Sequence, residues 1–248
     1  MENKLPRLSA SKLKEYQKCP TMYQYRNAVD KTDSINVWGL VGTAAHKAIE
    51  MHYLSGIPIH ATFLQRVDAI DARVQGYNFY PDLTLSILKG LKGLDLSKYP
   101  VMVVDGKMQL ERYFRLPYPN KENPICTLEG YIDHVSLTGF IDWKTGSDKP
   151  SRKGLKNDLQ FAVYFWAYEQ MYGRKPEYGI YYRIRDNKEI KITEVNDILD
   201  SAVKTILNDP LAYELAICDN CASYCSVRKL IERNTIEKEN TICLLLDT

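Results

Sequence analysis

The segment that most limits the fold is residues 130–146, GYIDHVSLTGFIDWKTG, in which two largely apolar runs flank a Leu-Thr-Gly turn. Short runs of this kind joined by a glycine-containing turn predict a β-hairpin. Because side chains alternate across a strand, Asp142 and Lys144 are expected on one face, with Trp143 packed on the other. Asp133 is expected beside Asp142, and this end of the hairpin is expected to be open to solvent.

The charged groups of this hairpin are typical of one kind of chemistry. Two carboxylates and an amine on one surface suit a hydrolase that holds a hard divalent cation with oxygen ligands. Such a cation would bind a scissile phosphate oxygen and lower the pKa of a bound water. Lys144 would orient or deprotonate that water, with its own pKa lowered by the cation. The alternative is that Asp133, Asp142 and Lys144 form an ordinary solvated strand-edge charge pattern.

The periodicity of the remaining chain predicts an α/β fold. Helical spacing covers residues from about 38 to 54, 61 to 93 with a break near 80–82, and 155 to 173, and Asn196 is expected to cap another helix. Short segments rich in β-branched and aromatic residues predict strands at 101–104, 108–116, 127–135, 140–144, 178–185 and 189–193. We expect one domain over 1–248, with a mainly helical part at 1–95, a mixed sheet at 100–193, and a helix with a cysteine cluster at 194–248.

Further polar residues accompany the hairpin. His46 lies on a predicted helix, and imidazole is a ligand for Mn²⁺ or Mg²⁺ beside carboxylates, although a lone helix histidine also occurs in ordinary packing. Gln160 and Tyr164 are four residues apart and share a helix face. Basic residues suited to a phosphate backbone, or simply to solvent, collect after the hairpin: Lys149, Arg152, Lys153 and Lys156.

Three of the six cysteines lie within eight residues of one another. Cys218, Cys221 and Cys225 form a C-x2-C-x3-C pattern, and thiolates at such spacing can bind one metal centre. Zn²⁺ with a fourth, distant ligand and reduced, inert thiols are both compatible with this pattern. Cys126 and Cys243 stand in apolar surroundings and are expected to be buried packing residues.

Composition excludes several classes of protein. The 248 residues are 45% hydrophobic and 26% charged, which excludes disordered and fibrous chains. Apolar runs fall short of the ~20 residues that cross a bilayer, so we expect a soluble, cytoplasmic protein with no membrane partner. A net charge of +2 neither requires nor excludes nucleic acid, so that hypothesis depends on local patches.

Six short pieces occur in a specific order: LSASKLKEYQKCP, GTAAHKAIE, EGYIDHV, GFIDWKTG, DLQFAVY and the cysteine cluster. Together they resemble the PD-(D/E)xK nucleases, and within them the RecB-like branch of helicase-associated nuclease domains and CRISPR adaptation nucleases. The resemblance implies a restriction-endonuclease-like core, in which a mixed central sheet is flanked by helices and extended by an N-terminal helical region and the C-terminal cysteine cluster. It implies Lys144 as the catalytic lysine, and Gln160 and Tyr164 as DNA-contacting supports of the active site. The implied ligands of Mg²⁺ or Mn²⁺ are His46, Asp133, Asp142 and the Trp143 carbonyl.

The resemblance also implies a 4Fe-4S cluster that joins the two ends of the chain. Cys19 would bind it together with Cys218, Cys221 and Cys225. The gap between Cys221 and Cys225 is shorter than the usual gap in the family, so zinc remains the alternative metal.

The implied activity is that of a divalent-metal-dependent deoxyribonuclease. We expect an exonuclease on single-stranded DNA ends, acting in recombination, repair or end processing, with a helicase or an integrase as a partner. Two alternatives remain: a catalytically silent DNA-binding or scaffold subunit with the same fold, and a zinc-stapled interaction protein.

Overall fold

A computed structural model of the chain describes residues 5–20, 23, 37–73 and 81–209. The chain groups into two compact units, one drawn from residues 1–10 and 34–200 and the other from residues 11–33 and 201–248. No helix in the described ranges is long and apolar enough to cross a membrane. Cys218, Cys221, Cys225 and Cys243 lie outside the described residues, and a single domain over 1–248 stays a prediction.

A mixed β-sheet forms the centre of the first unit. Its strands follow the order β1-β5-β6-β7-β8, with β4 on the other edge of β5. The pairs β4–β5, β5–β6 and β7–β8 are antiparallel, whereas β1–β5 and β6–β7 are parallel. With the separate two-stranded pair β2–β3, the strands are β1 Arg7–Leu8, β2 Val103–Val104, β3 Lys107–Met108, β4 Leu110–Tyr118, β5 Cys126–Val135, β6 Gly139–Lys144, β7 Tyr178–Arg183 and β8 Lys188–Ile192.

The helices of the first unit lie close to the predicted positions along the chain: α2 Val37–Ser55, α3 Ile59–Arg73, α4 Pro81–Gly93, α5 Arg152–Lys156 and α6 Leu159–Tyr172. The helices α1 Ala10–Lys18 and α7 Leu199–Asn208 lie mostly in the second unit. Asn196 does not cap α7, because that helix begins three residues later and the Asn196 amide donates to Asn157 Oδ1 at 2.7 Å. The α/β class with a mixed central sheet flanked by helices is confirmed.

Strand β6 is covered on both faces, as its alternating side chains require. Ile141 and Trp143, each 1% exposed, join the buried cluster formed with α2, α3 and α4. Phe140 points the other way, and its ring contacts Phe161 of α6 at a centroid distance of 5.6 Å. Burying large apolar side chains like these stabilises the fold by roughly 1.5–3 kcal/mol each. The carboxyl end of β6, at Lys144, emerges from this packing only 28% exposed.

One edge of β5 is shared by two strands. Residues 127 and 128 pair with β1, and residues 134 and 135 pair with β6, while β4 runs along the opposite edge. Within the described residues, no strand pairs with this edge of β5 between the two short ladders. Strands β5 and β6 therefore part just beyond His134, and polar groups there need other partners.

Candidate functional site

Asp133 lies where β5 and β6 separate. Its Oδ2 accepts a hydrogen bond from the Trp143 backbone N–H at 2.8 Å, so a side chain continues the interaction where the strand ladder stops. One step along the β5–β6 register, Asp133 stands opposite Asp142, as the hairpin pattern predicts. The expectation that Asp142 lies at a solvent-open strand end is wrong, because this residue is 0% exposed.

Three potential metal ligands converge beside this separation: His46, Glu111 and Asp133, with ligand atoms within 4.8 Å of one another. His46 Nδ1 lies 3.3 Å from Glu111 Oε1 and 3.6 Å from Asp133 Oδ1. Its Nε2 lies 2.8 Å from the Trp143 carbonyl oxygen, which can only accept, so Nε2 carries a proton in this contact. A histidine held in this way by a backbone carbonyl presents its other nitrogen in a fixed direction.

Small residues of α2 bring His46 close to the sheet. Ala44, Ala45 and Ala48 are buried, so the helix backbone can approach closely. A Cβ atom on Gly42 would lie 3.2 Å from Thr145 Oγ1, which makes this glycine part of the same close approach. Glu50, one turn beyond His46 on α2, pairs with Lys47 at 2.5 Å.

The electrostatics of this group favour a cation at its centre. Burial alone would lower the pKa of His46, but the carboxylates of Asp133 and Glu111 outweigh it and raise the pKa to about 9. Burial raises the pKa of Asp133, and the neighbouring carboxylates of Asp142 and Glu111 raise it further, against His46 and Lys144. Imidazole and carboxylate oxygens are donors that Mn²⁺ and Mg²⁺ accept, so the residues fit such an ion.

A chain of polar contacts leads from Asp142 to α6. Lys144 Nζ lies 2.9 Å from Asp142 Oδ1 and donates to Gln160 Oε1 at 3.1 Å. Gln160 Nε2 then donates to Tyr164 Oη at 2.9 Å. Asp158 caps the helix by accepting from the N–H of Gln160, which fixes where α6 starts and therefore where Gln160 stands.

Nearby charges set the protonation of two groups along this chain of contacts. Burial would lower the pKa of Lys144, but the carboxylates of Asp142 and Asp133 outweigh it and raise the pKa. Lys144 is therefore an ammonium that donates hydrogen bonds. Burial, with the charges of Asp142 and Asp133, raises the pKa of Tyr164 well above its ordinary value, so the phenol stays neutral. Tyr164 is 5% exposed and lies behind Gln160.

The other predicted site residues are spread along the chain. Lys149, Arg152 and Lys153 are exposed in the loop after β6 and in α5. Lys156 pairs with Glu194 Oε1 at 2.5 Å. Cys19 is partly exposed just after α1, in the second unit, and its three predicted partners lie outside the described residues. Cys126 is buried.

Glu111 is a site residue that the sequence analysis does not single out. It falls inside a predicted strand, where a lone glutamate carries no special signal. Only the register of β4 against β5 identifies Glu111. Leu110 pairs with His134 and Arg112 pairs with Ile132, so Glu111 stands opposite Asp133. Its left-handed backbone, with φ of 43°, has no counterpart in the sequence pattern, since glutamate rarely adopts this conformation.

The profile of the PD-(D/E)XK nuclease superfamily matches residues 7–230. This chain belongs to that superfamily. Its members are usually phosphodiesterases that use divalent metals, and His46, Glu111 and Asp133 all lie inside the matched range. No curated protein matches the chain. A solved structure described as the crystal structure of SSO0001 is 14% identical, with a TM-score of 0.30, and the match covers 79% of this chain and 83% of that one.

Proposed function

We propose that this PD-(D/E)XK protein is a divalent-metal-dependent deoxyribonuclease that hydrolyses phosphodiester bonds. The observation that carries the proposal is the convergence of His46, Glu111 and Asp133 within 4.8 Å, on a separated strand pair that also carries the ion pair of Asp142 and Lys144. A silent scaffold would not need a strained backbone at Glu111 and a buried charge at Asp142, since each costs stability.

Each side chain has a separate task in this mechanism. A bound Mg²⁺ or Mn²⁺ would polarise the phosphate and lower the pKa of a water. His46, through Nδ1, with Glu111 and Asp133 would hold the ion, and Asp142 is proposed as a further ligand. The Trp143 carbonyl, which the resemblance implies as a ligand, instead accepts from His46 Nε2 on the other side of the imidazole ring. Lys144, as an ammonium, orients the attacking water or donates to a phosphate oxygen as charge develops there.

Gln160 and Tyr164 support Lys144. Gln160 Oε1 accepts from Lys144 Nζ at 3.1 Å, which limits the directions in which the ammonium can point. Tyr164 holds the other end of the same amide at 2.9 Å. A side chain fixed in this way keeps its charge aimed at one place, which is how preorganised sites stabilise a transition state.

The substrate that fits this site best is DNA with single-stranded ends, cleaved by an exonuclease of the RecB-like branch. Lys149, Arg152 and Lys153 are exposed in the segment that directly follows Lys144, where they would meet the phosphate backbone on either side of the cleaved bond. Recombination, repair and end processing supply such ends, and a helicase or an integrase would be a suitable partner.

A 4Fe-4S cluster bound by Cys19, Cys218, Cys221 and Cys225 is part of the same proposal. The sequence spacing supports it, and the partly exposed position of Cys19 after α1 leaves its thiol near the protein surface. The cluster would join the N-terminal and C-terminal segments of the chain. Zinc is the alternative occupant.

Digestion of end-labelled DNA tests the activity. Wild-type protein, Lys144→Ala and Lys121→Ala, whose lysine is exposed in the loop after β4, are incubated with single-stranded DNA, duplex DNA and RNA of one sequence in Mg²⁺ or Mn²⁺. Cleavage by wild type and Lys121→Ala that disappears in Lys144→Ala and in chelator supports the proposal. DNA binding without cleavage by the wild type contradicts it and favours the scaffold alternative.

A further inference from the structure

Two exposed tyrosines stand side by side on the β4–β5 ladder. Tyr113 and Tyr131 are directly opposite each other in the register, and their ring centroids are 5.0 Å apart. They are 39% and 54% exposed, and no other Phe, Tyr or Trp whose side chain the structure describes is exposed to this extent. Aromatic rings that stay uncovered in a pair offer apolar faces to a ligand.

The pair lies close to the metal-binding group along both strands. Tyr113 follows Glu111 by two residues on β4, and Tyr131 precedes Asp133 by two residues on β5. Two residues of strand correspond to about 7 Å. This is roughly the reach of one nucleotide in an extended single strand, so a phosphate at the metal group would bring its neighbouring base to the tyrosines. The side chains of Glu111 and His46 are 32% and 24% exposed, so solvent-borne ligands can reach the metal group itself.

A small polar network holds one ring of the pair. Tyr113 Oη donates to Glu129 Oε2 at 3.2 Å, and Arg115 Nε donates to the same oxygen at 2.9 Å. The guanidinium carbon of Arg115 lies 5.7 Å from the centroid of the Tyr113 ring. Arg115 is 46% exposed, so ligands in solution can reach its guanidinium, which carries five N–H donors. Aromatic rings beside a guanidinium are the combination that binds bases and phosphates of single strands.

We propose that Tyr113 and Tyr131 form a stacking platform for an unpaired base that neighbours the scissile phosphodiester, with Arg115 contacting a phosphate further along the strand. This inference rests on the proposed nuclease function and names the substrate class. A paired base is already stacked between its neighbours and must be unstacked to reach such a platform. The platform therefore selects single strands and unpaired ends over intact duplex.

Equilibrium binding without cleavage tests the platform. Fluorescence anisotropy in EDTA compares a labelled single-stranded oligonucleotide with its duplex, and an oligonucleotide containing 2-aminopurine reports stacking. The double variant Tyr113→Ala/Tyr131→Ala should bind single strands about tenfold or more weakly, because each base–aromatic stack contributes strongly. The affinity for the duplex should change less than about twofold. The change in 2-aminopurine fluorescence that accompanies stacking on the wild-type protein should be absent.

Two controls separate stacking from folding. The double variant Tyr113→Phe/Tyr131→Phe keeps both ring faces and should retain single-strand affinity, while Leu85→Ala removes a leucine that is 60% exposed on α4 and should change nothing. Equal losses in the alanine and phenylalanine variants, or equal losses for single strand and duplex, contradict the platform. Unchanged binding in the alanine variant also contradicts it and leaves the surface to a protein partner.

The platform and the nuclease proposal fail in different ways. Metal-dependent cleavage by the wild type, combined with unchanged single-strand affinity in the alanine variant, contradicts the platform alone. Selective loss of single-strand affinity, combined with no cleavage by the wild type, keeps the platform and contradicts the nuclease.

Discussion

Lys144 Nζ lies 2.9 Å from Oδ1 of Asp142, a carboxylate that is completely buried. The ion pair therefore stabilises the fold, because the ammonium compensates a charge that water cannot reach. Since Lys144 and Asp142 are also proposed to act in catalysis, the stability and the activity of their variants have to be measured separately.

Lys144→Met should lower the free energy of unfolding at pH 7 by about 2–4 kcal/mol, since it leaves the Asp142 charge without its partner. The loss should shrink in Lys144→Met/Asp142→Asn, because the amide carries no charge that needs a partner. Urea unfolding of these variants at pH 7 measures it. A deficit that is absent at pH 7, or that grows in the double variant, contradicts the stabilising role of the pair.

Glu111→Gln should weaken Mn²⁺ binding by at least about tenfold, because the loss of a ligand costs no less than the loss of a supporting contact. Isothermal titration calorimetry measures the affinity directly, without any substrate. Glu122→Gln, at an exposed position in the loop between β4 and β5, is the matched control and should bind as the wild type does. Equal affinities in both variants would remove Glu111 from the metal group.

The metal-free protein should lose stability as the pH rises from 6.5 to about 9. The pKa of His46 is raised to about 9 in the folded state by Asp133 and Glu111 against the effect of burial, so its protonation stabilises the fold below pH 6.5 and ceases to do so near pH 9. The difference should be up to about 3 kcal/mol. Thermal unfolding across this pH range measures it, and His46→Asn should flatten the curve.

The affinity for Mn²⁺ should rise with pH, whereas the stability of the metal-free protein falls. A metal ion replaces the proton on the imidazole, so binding should release a proton near pH 7 and should strengthen toward pH 9. Calorimetry in two buffers of different ionisation enthalpy counts the released protons. Binding that weakens as the pH rises would show that His46 is not a ligand.

Tyr164→Phe should lower kcat by about 2–10-fold with KM little changed, because it removes the acceptor that fixes Gln160, and one such hydrogen bond contributes about 0.5–1.5 kcal/mol. The phenol is 5% exposed and reaches Lys144 only through Gln160. Single-turnover cleavage at several DNA concentrations separates kcat from KM. A change confined to KM would instead indicate direct contact with DNA.

Sequence patterns predicted the parts of the site that depend on local periodicity. The alternation in β6 placed Trp143 and Lys144 on opposite faces, and the helix pattern placed Gln160 four residues before Tyr164. The structure has Trp143 in the core and the contacts of Lys144, Gln160 and Tyr164 on the other face. Strand and helix periods are fixed by backbone geometry, so they can be inferred from a single chain.

The parts that depend on long-range pairing could not be predicted in the same way. Glu111 joins Asp133 through the β4–β5 register, and the short strand Arg7–Leu8 exists only because it pairs with residues 127 and 128. Burial lowers the pKa of Lys144 and the carboxylates of Asp142 and Asp133 raise it more strongly, and the sequence shows neither this burial nor the approach of Asp133. Each of these depends on residues far apart in the chain, whose contact is a property of the fold.

Cys19→Ser should remove bound iron and lower the melting temperature together, because its thiolate is proposed to join three thiolates far along the chain around one cluster. Both effects are measured on anaerobically purified protein, by absorbance near 400 nm, iron and sulfide content, and thermal unfolding. A colourless protein that contains zinc instead identifies the alternative metal.

Cys126→Ala is the matched control. Cys126 is 0% exposed and burial raises its pKa to about 11, so it is held as a protonated thiol and this variant should keep the full metal content. Full metal content in Cys19→Ser would show that the N-terminal cysteine is not a ligand, and loss of metal in both variants would mean that unfolding, rather than ligand removal, releases it.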